Sequence, residues 1–400
     1  MAKTYPVKWI SSTFRGAPQV DGSVGGGGYL AALYAFLVTG FGTAQALSVI
    51  VSNGVGTAVF PASTVFETYS VLLIEGATSP ASLNGEARVL SQAGSTITFE
   101  TDAPDGTATG TITFKYAPAG WERVFSETNK AVFRSLDPQS PRFCIRVDDT
   151  GGVSARVRGY ESMSSIDVGT GPFPTDAQIN GGGWFNKSVN ANATKVSYYI
   201  CADSRIFLSA ISAGVPSSAS YTTAPVRGFG DLVTLNPSGD AFAVVLSCTS
   251  IEGASSNSYY SYGTFNLTSN SPNGLYAARD PSGAGGARLV ESKPYVGIAG
   301  SVSGADATLG VFPSSIDGEL KYSRRYVCAT DNSTPRANIP GILHIPQSTV
   351  LGSAKIAHGD FVMGSGELSG RVLLAIAAST TVAGIGPAGI SLIDIYGPWR

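Results

Sequence analysis

The sequence is short of charge. Lysine, arginine, aspartate and glutamate make up 14% of its 400 residues, and the net charge is −2. An ordinary soluble domain carries about 25% charged residues. The densest basic cluster is the pair Arg324 and Arg325, whereas a protein that grips nucleic acid needs a concentrated basic face. We therefore expect no nucleic-acid partner.

Histidine is scarcer still, with only His344 and His358 in the whole sequence. A Ser–His hydrolase or a histidine-based zinc site would have to use one of them. The sequence contains neither a G-x-S-x-G nucleophile elbow nor an H-E-x-x-H pair, the spacings that such enzymes need. We expect no metal, no cofactor and no enzymatic activity.

The cysteines form no C-x-x-C pair and are expected to be buried free thiols. They are Cys144, Cys201, Cys248 and Cys328.

A membrane-length apolar run is also missing. The uncharged stretch from Tyr29 to Phe41 follows four glycines and has 13 residues, where a membrane helix needs roughly 20. No lysine follows the glycines, as a phosphate-binding loop requires, and the run lies too far from the start for a signal peptide. We predict a short buried helix from Tyr29 to about Val38, stopped by Gly40, in a soluble protein made in the cytoplasm without membrane insertion.

Period-two alternation of apolar and polar residues dominates the rest of the sequence. Short runs rich in Val, Ile, Thr and aromatic residues recur between Gly, Asn, Pro and Asp, a pattern typical of strands and turns. The pattern predicts an all-β fold with one N-terminal helix in residues 1–45. Residues 46–118 are expected to form a small β-barrel or sandwich, and residues 119–400 a larger β-sandwich body of one or two β subdomains. A second short helix is expected at residues 176–180.

Acidic residues are the remaining source of catalytic chemistry. A carboxylate pair for glycoside cleavage leaves no spacing signature, because the two residues meet in space and not in sequence. For each candidate we favour a role as a turn former or a local ion-pair partner. The candidates are Asp148, Asp149, Glu161, Asp203, Asp231 and Asp240.

Tryptophan could supply a sugar-stacking surface. Trp9, Trp121 and Trp399 are expected to be core or interface anchors, the usual role of buried tryptophans. Trp184 lies in GGGWFNKS, which predicts a loop, and it is our one speculative glycan contact.

Several stretches spread along the chain carry a family resemblance. They include TFRGAPQVDG with AALYAFLVTGFG, then SLNGEARVLSQAGSTITFETDAPDGTATGTITFKYAPAGW, RFCIRVDDTGGVSARVRGYESM and the terminal YGPWR. Together they resemble a group of tailed-bacteriophage virion structural proteins that is associated with the tail and baseplate and has a small inserted β-domain. The resemblance covers most of the chain and brings no catalytic residues with it.

The resemblance implies a virion structural protein in the tail, the baseplate or the tail-fibre attachment region. Such a protein is assembled in the cytoplasm of the bacterial host and acts by binding copies of itself and neighbouring virion proteins. A trimer or a six-fold ring would be the expected homo-oligomer. Two alternatives stay open: a capsid-surface or decoration protein, and a receptor-binding adhesin whose partner is host surface polysaccharide.

Overall fold

The computed structural model describes residues 3–62, 64–213, 224–236, 238–253, 263–266, 274–293, 297–298, 312–314, 316–329, 335–345, 347, 356–378 and 389–400. Strand accounts for 50% of the chain and helix for 6%, so the predicted all-β class is confirmed. No helix among the described residues is both long and apolar enough to cross a membrane. All four cysteines are buried free thiols, as predicted.

The N-terminal segment contains strand β1 (Lys8–Ser11) and helix α1 (Gly28–Tyr34), which continues as a π-helical turn over Ala35–Thr39. Gly40 ends the helix with φ +69°, and a Cβ there would lie 2.4 Å from the Tyr116 carbonyl oxygen. Only glycine combines that backbone conformation with such a close approach. The predicted helix and its glycine stop are therefore confirmed.

The chain from Phe41 to Tyr116 forms a sheet of eight strands with the order β2-β9-β5-β6-β7-β4-β3-β8. The strands are β2 (Phe41–Gln45), β3 (Ser48–Ser52), β4 (Val55–Val59), β5 (Val71–Ser79), β6 (Gly85–Ala93), β7 (Thr96–Glu100), β8 (Gly106–Thr107) and β9 (Thr109–Tyr116). Because β2 leads into β3 and β8 leads into β9, short connections join the two ends of the sheet and the sheet curls back towards itself. We call this eight-stranded unit the barrel. Phe60, Phe66, Phe99 and Phe114 are fully buried and pack edge to face, which fills its interior.

A second sheet has six strands: β10 (Trp121–Glu127), β11 (Lys130–Ser135), β12 (Cys144–Asp148), β13 (Ser154–Met163), β14 (Gly169–Phe173) and β15 (Gly183–Asn186). They pair in the order β10-β11-β12-β13-β14, with β15 also on β13. The predicted helix at residues 176–180 is wrong, because the segment forms turns. Gly181 and Gly182, both with positive φ, follow at once and stop any helix from continuing.

The third and largest sheet has 14 strands, in the order β1-β16-β17-β18-β20-β21-β22-β24-β25-β28-β27-β26, with β19 on β25 and β23 on β22. These are β16 (Ser197–Ala202), β17 (Ile206–Ser212), β18 (Val226–Asp231), β19 (Val233–Thr234), β20 (Val244–Ser247), β21 (Leu275–Arg279), β22 (Gly285–Lys293), β23 (Gly297–Ile298), β24 (Ser323–Ala329), β25 (Pro335–Ile345), β26 (Phe361–Met363), β27 (Val372–Ala378) and β28 (Gly389–Asp394). The rings of Trp9 on β1 and Phe361 on β26 are 5.4 Å apart. The sheet therefore curls until its two edge strands approach each other.

The barrel contacts both ends of the chain. The Arg88 guanidinium lies 3.7 Å from the centre of the Tyr396 ring and donates a hydrogen bond to the Tyr396 carbonyl oxygen at 3.2 Å. Lys8 on β1 pairs with Glu86 on β6 at 2.9 Å. One continuous hydrophobic cluster includes residues from all three sheets, so the barrel packs onto the body through side chains as well as through its two connections.

Candidate functional site

Every acidic residue proposed from the sequence for glycoside cleavage forms an ion pair. The nitrogen–oxygen distances are 3.4 Å for Asp148–Arg146, 2.5 Å for Asp149–Lys187, 2.5 Å for Glu161–Arg279, 3.0 Å for Asp203–Arg400, 2.8 Å for Asp231–Arg205 and 2.7 Å for Asp240–Arg336. The six residues are therefore partners of arginine and lysine. Of the six cations, only Arg146 is close to its partner in sequence, so the local pairing favoured from the sequence holds for Asp148 and not for the other five.

Asp149 and Lys187 form what we call the sealed pair, because their side chains are 0% and 1% exposed. One Asp149 oxygen accepts from the Lys187 ammonium, while the other accepts the backbone N–H groups of Tyr29 at 2.9 Å and Leu30 at 3.1 Å. Asp149 thus caps the start of helix α1 from another part of the chain. Burial raises its pKa, against the lowering effect of the Lys187 ammonium and the helix amides. No substrate can reach this carboxylate.

The structure brings two other sequence candidates, Asp203 and Asp231, into one network. Asp203 follows β16 and accepts from the Arg400 guanidinium and from the backbone N–H groups of Arg205 and Ile206. Asp231 ends β18, pairs with Arg205, and its backbone carbonyl accepts from Arg400 at 3.1 Å. Burial raises the pKa of Asp231, and the Arg205 guanidinium opposes that effect. Arginines occupy the space between these two acids, so they do not form a glycosidase-type pair.

Beside this network lies a cleft of about 340 Å³, which we call the arginine cleft because Arg324, Arg371 and Arg400 line it. Arg371 donates to the Asp394 carboxylate at 2.6 Å and to the Pro398 carbonyl at 3.0 Å. Arg324 is exposed on β24. Within the described part of the chain, no carboxylate lies in salt-bridge range of Arg324.

The wall of the arginine cleft is apolar and held rigidly. Leu343, Leu368 and Trp399 contribute to it. The Trp399 ring lies directly over Gly341, where a Cβ would meet a ring atom at 2.2 Å, and the φ of Gly341 is +77°. The Trp399 indole N–H donates to the Asp394 carbonyl at 2.7 Å. Any side chain at position 341 would displace the ring, so glycine there fixes the shape of the cleft.

Trp184 lies on strand β15 and not in a loop, which corrects the prediction from GGGWFNKS. Its backbone exchanges hydrogen bonds with Thr249 at 3.0 and 3.1 Å. The Arg156 guanidinium lies 4.4 Å from the ring centre and is held there by the carbonyl oxygens of Asn180 and Gly181. Arg156 therefore covers a ring face that a sugar would need. Trp9, Trp121 and Trp399 are buried, as expected for anchors.

Neither histidine is placed for catalysis with a described acid. His344 is buried, with Nδ1 3.0 Å from the Arg325 guanidinium. His358 accepts the Ala377 backbone N–H at 3.2 Å and packs edge-on against Tyr199. Burial lowers the pKa of His358 to about 4. Among the described residues, no group of three or more His, Cys, Asp or Glu side chains could hold a metal ion.

Sequence reasoning missed the arginine cleft. Its three arginines come from β24, from the residue before β27 and from the last position of the sequence, and only the fold brings them together. Comparison with known proteins does not assign it a role, since no family model, curated protein or solved structure matches the chain. The resemblance to phage virion proteins gains no support from these comparisons and stays a prediction.

Proposed function

We propose that the chain is a structural protein of a tailed-phage virion that acts by binding copies of itself and neighbouring virion proteins. The sequence resemblance supplies the virion assignment. The observation that favours a structural over a catalytic role is the pairing of all six candidate carboxylates with arginine or lysine. The scarcity of histidine and of charge agrees with that role.

The chemistry of glycoside cleavage explains why this pairing matters. A glycosidase needs one protonated carboxyl to protonate the leaving group and a second carboxylate on the other side of the bond. An arginine or lysine held against a carboxylate occupies its oxygens and keeps them from contacting a substrate. Asp149 is in addition inaccessible. The six carboxylates are therefore poorly suited to an acid–nucleophile pair.

The tail, the baseplate or the tail-fibre attachment region is the proposed station, and the capsid surface is the structural alternative. Antibody-gold labelling of intact particles distinguishes the two by the position of the label. Mass spectrometry of purified virions tests the proposal itself. We expect the chain at a stoichiometry set by tail symmetry, and its absence from purified particles would overturn the proposal.

A separate assay tests the non-catalytic part of the proposal. The purified protein is incubated with host surface polysaccharide, and reducing ends are measured against a heat-denatured control. We expect no excess over the control. Reducing sugar above the control would show a glycan-cleaving activity, and single Asn variants at Asp148, Asp149, Asp203 and Asp231 would then locate it.

A further inference from the structure

The arginine cleft has guanidinium donors that no described residue accepts. Each arginine carries five N–H donors in a planar fork. Towards described acceptors, Arg371 donates through Nη1, and Arg400 donates through Nε and Nη2. Among the described residues, none accepts a hydrogen bond from Arg324. The cleft therefore presents charged donors that an acceptor from outside the chain can bind.

One arginine that lines the cleft has no carboxylate partner among the described residues. Arg371 pairs with Asp394, and Arg400 pairs with Asp203. No described carboxylate pairs with Arg324, which lies on the exposed side. A single negative charge from outside would pair with it.

We propose that the arginine cleft binds the carboxylate of a sugar-sized ligand, with Arg324 as its main contact. A guanidinium and a carboxylate form two parallel charge-assisted hydrogen bonds. A carboxylate supplies one charge, whereas a phosphate monoester carries about −1.5 to −2 at pH 7 and would overcompensate the site. The volume of about 340 Å³ lies at the lower end of the range for small-ligand pockets, about 300–1,000 Å³.

The rest of the ligand would contact the apolar wall. Leu343, Leu368 and the edge of Trp399 lie on this wall. Gly341 leaves room for the tryptophan ring, and the Asp394 carbonyl holds its indole N–H. A ring with a carboxylate at one end fits this arrangement, because the charged end meets the arginines while the carbon skeleton packs against apolar side chains. The carboxylate could belong to a free sugar acid or to an acidic side chain of a second copy of the chain.

Calorimetric titration of the full chain tests the proposal with sodium galacturonate as the probe. Galactose, with the same ring but no charge, and inorganic phosphate serve as comparison ligands. We expect saturable binding of galacturonate and none of galactose. Arg324→Gln should weaken the binding by about tenfold or more, and Arg324→Lys should restore part of it because charge returns without the fork.

Arg123→Gln is the matched control. Arg123 is another exposed arginine, but its guanidinium lies 3.7 Å from the Tyr34 ring centre and outside the cleft. This variant should bind galacturonate as the parent protein does. Equal binding of galacturonate and galactose, tighter binding of phosphate, or full binding by Arg324→Gln would each overturn the proposal.

Sedimentation velocity identifies where the carboxylate comes from. A carboxylate from a second copy predicts two results: galacturonate, while binding saturably, dissociates an oligomer of the parent protein, and Arg324→Gln weakens the same oligomer. Saturable binding with no change in oligomeric state identifies a free sugar acid. Virion incorporation is measured separately, so failure of the cleft to bind galacturonate leaves the proposed virion role to its own test.

Discussion

The sealed pair and the arginine cleft use the same chemistry in opposite ways. In the sealed pair, Asp149 and Lys187 exclude water and use their polar atoms within the protein. In the cleft, Arg371 and Arg400 are also bound to carboxylates, yet each has N–H donors that no described residue accepts, next to the exposed Arg324. An ion pair that is closed on all sides serves the fold, whereas one that borders a cleft can also serve binding.

The two regions should differ most in what they contribute to stability. Removing one partner of a buried ion pair leaves an uncompensated charge and costs about 3–5 kcal/mol. An exposed arginine contributes about 0–1 kcal/mol at most through surface charge. Substitutions at the two places therefore separate a structural role from a binding role.

The largest effect is expected from Lys187→Met. This change leaves the Asp149 carboxylate buried without its cation and should lower the free energy of unfolding by about 3–5 kcal/mol. Adding Asp149→Asn should recover part of that loss, since the amide oxygen can still accept from the helix α1 amides. Urea unfolding of the parent, the single variant and the double variant measures both values. A double variant less stable than Lys187→Met would contradict this explanation of the sealed pair.

His358 is partly exposed and tests whether burial is costly for a group that has no charged partner among the described residues. The pKa of His358 is lowered to about 4 by burial, below the value of about 6.5 for an unfolded chain. The unfolded state therefore binds the proton first as the pH falls, and stability should decrease by about 2 kcal/mol between pH 7 and pH 5 through this residue. We expect His358→Gln to show a shallower pH dependence in urea unfolding. Identical pH profiles for the variant and the parent would show that His358 titrates normally.

A much smaller stability effect is expected on the cleft side of the comparison. Arg324→Gln should change the free energy of unfolding by less than about 0.5 kcal/mol, because Arg324 is exposed and makes no described ion pair. Its effect should appear in binding at the cleft and not in the stability of the folded chain. A loss of several kcal/mol in urea unfolding would mean that Arg324 supports the fold and that the contrast with Lys187 fails.

The smallest effect is expected from Trp184→Ala in an adsorption assay with host cells. Arg156 already covers the tryptophan ring, so we expect the adsorption curve to stay unchanged. Arg156→Gln is the companion variant, because it removes the covering guanidinium. Reduced adsorption of Trp184→Ala alone would restore Trp184 as a glycan contact and favour the adhesin alternative.

The sequence predicts features that depend on neighbouring residues better than it predicts contacts between distant ones. Gly40 stops the N-terminal helix as expected, because a helix end and its glycine are adjacent in sequence. Asp149 looked like a turn former. Its actual partners are Lys187, 38 positions away, and Tyr29, 120 positions away, and no local pattern reveals contacts over such separations. The cleft arginines are similarly scattered, and their juxtaposition depends on the order of strands in the largest sheet.

Two predictions failed for local reasons. The glycines before Trp184 favoured a loop, yet Gly183 is the first residue of β15, which pairs with β13. Residues 176–180 looked helical, but the glycines that follow leave room for turns only. In both cases a glycine-rich segment was interpreted without knowing which strand lies next to it.

The central claim is that a sealed carboxylate supports the fold whereas an exposed one contributes little, and two adjacent residues test it most directly. Asp148 and Asp149 are neighbours, but Asp148 is 22% exposed and pairs with Arg146 at 3.4 Å, while Asp149 is sealed. The decisive measurement is the free energy of unfolding of Asp149→Asn beside that of Asp148→Asn, by urea titration at pH 7. We predict a loss of about 3 kcal/mol or more for Asp149→Asn and less than about 0.5 kcal/mol for Asp148→Asn. Equal losses, or two variants as stable as the parent, would contradict the claim.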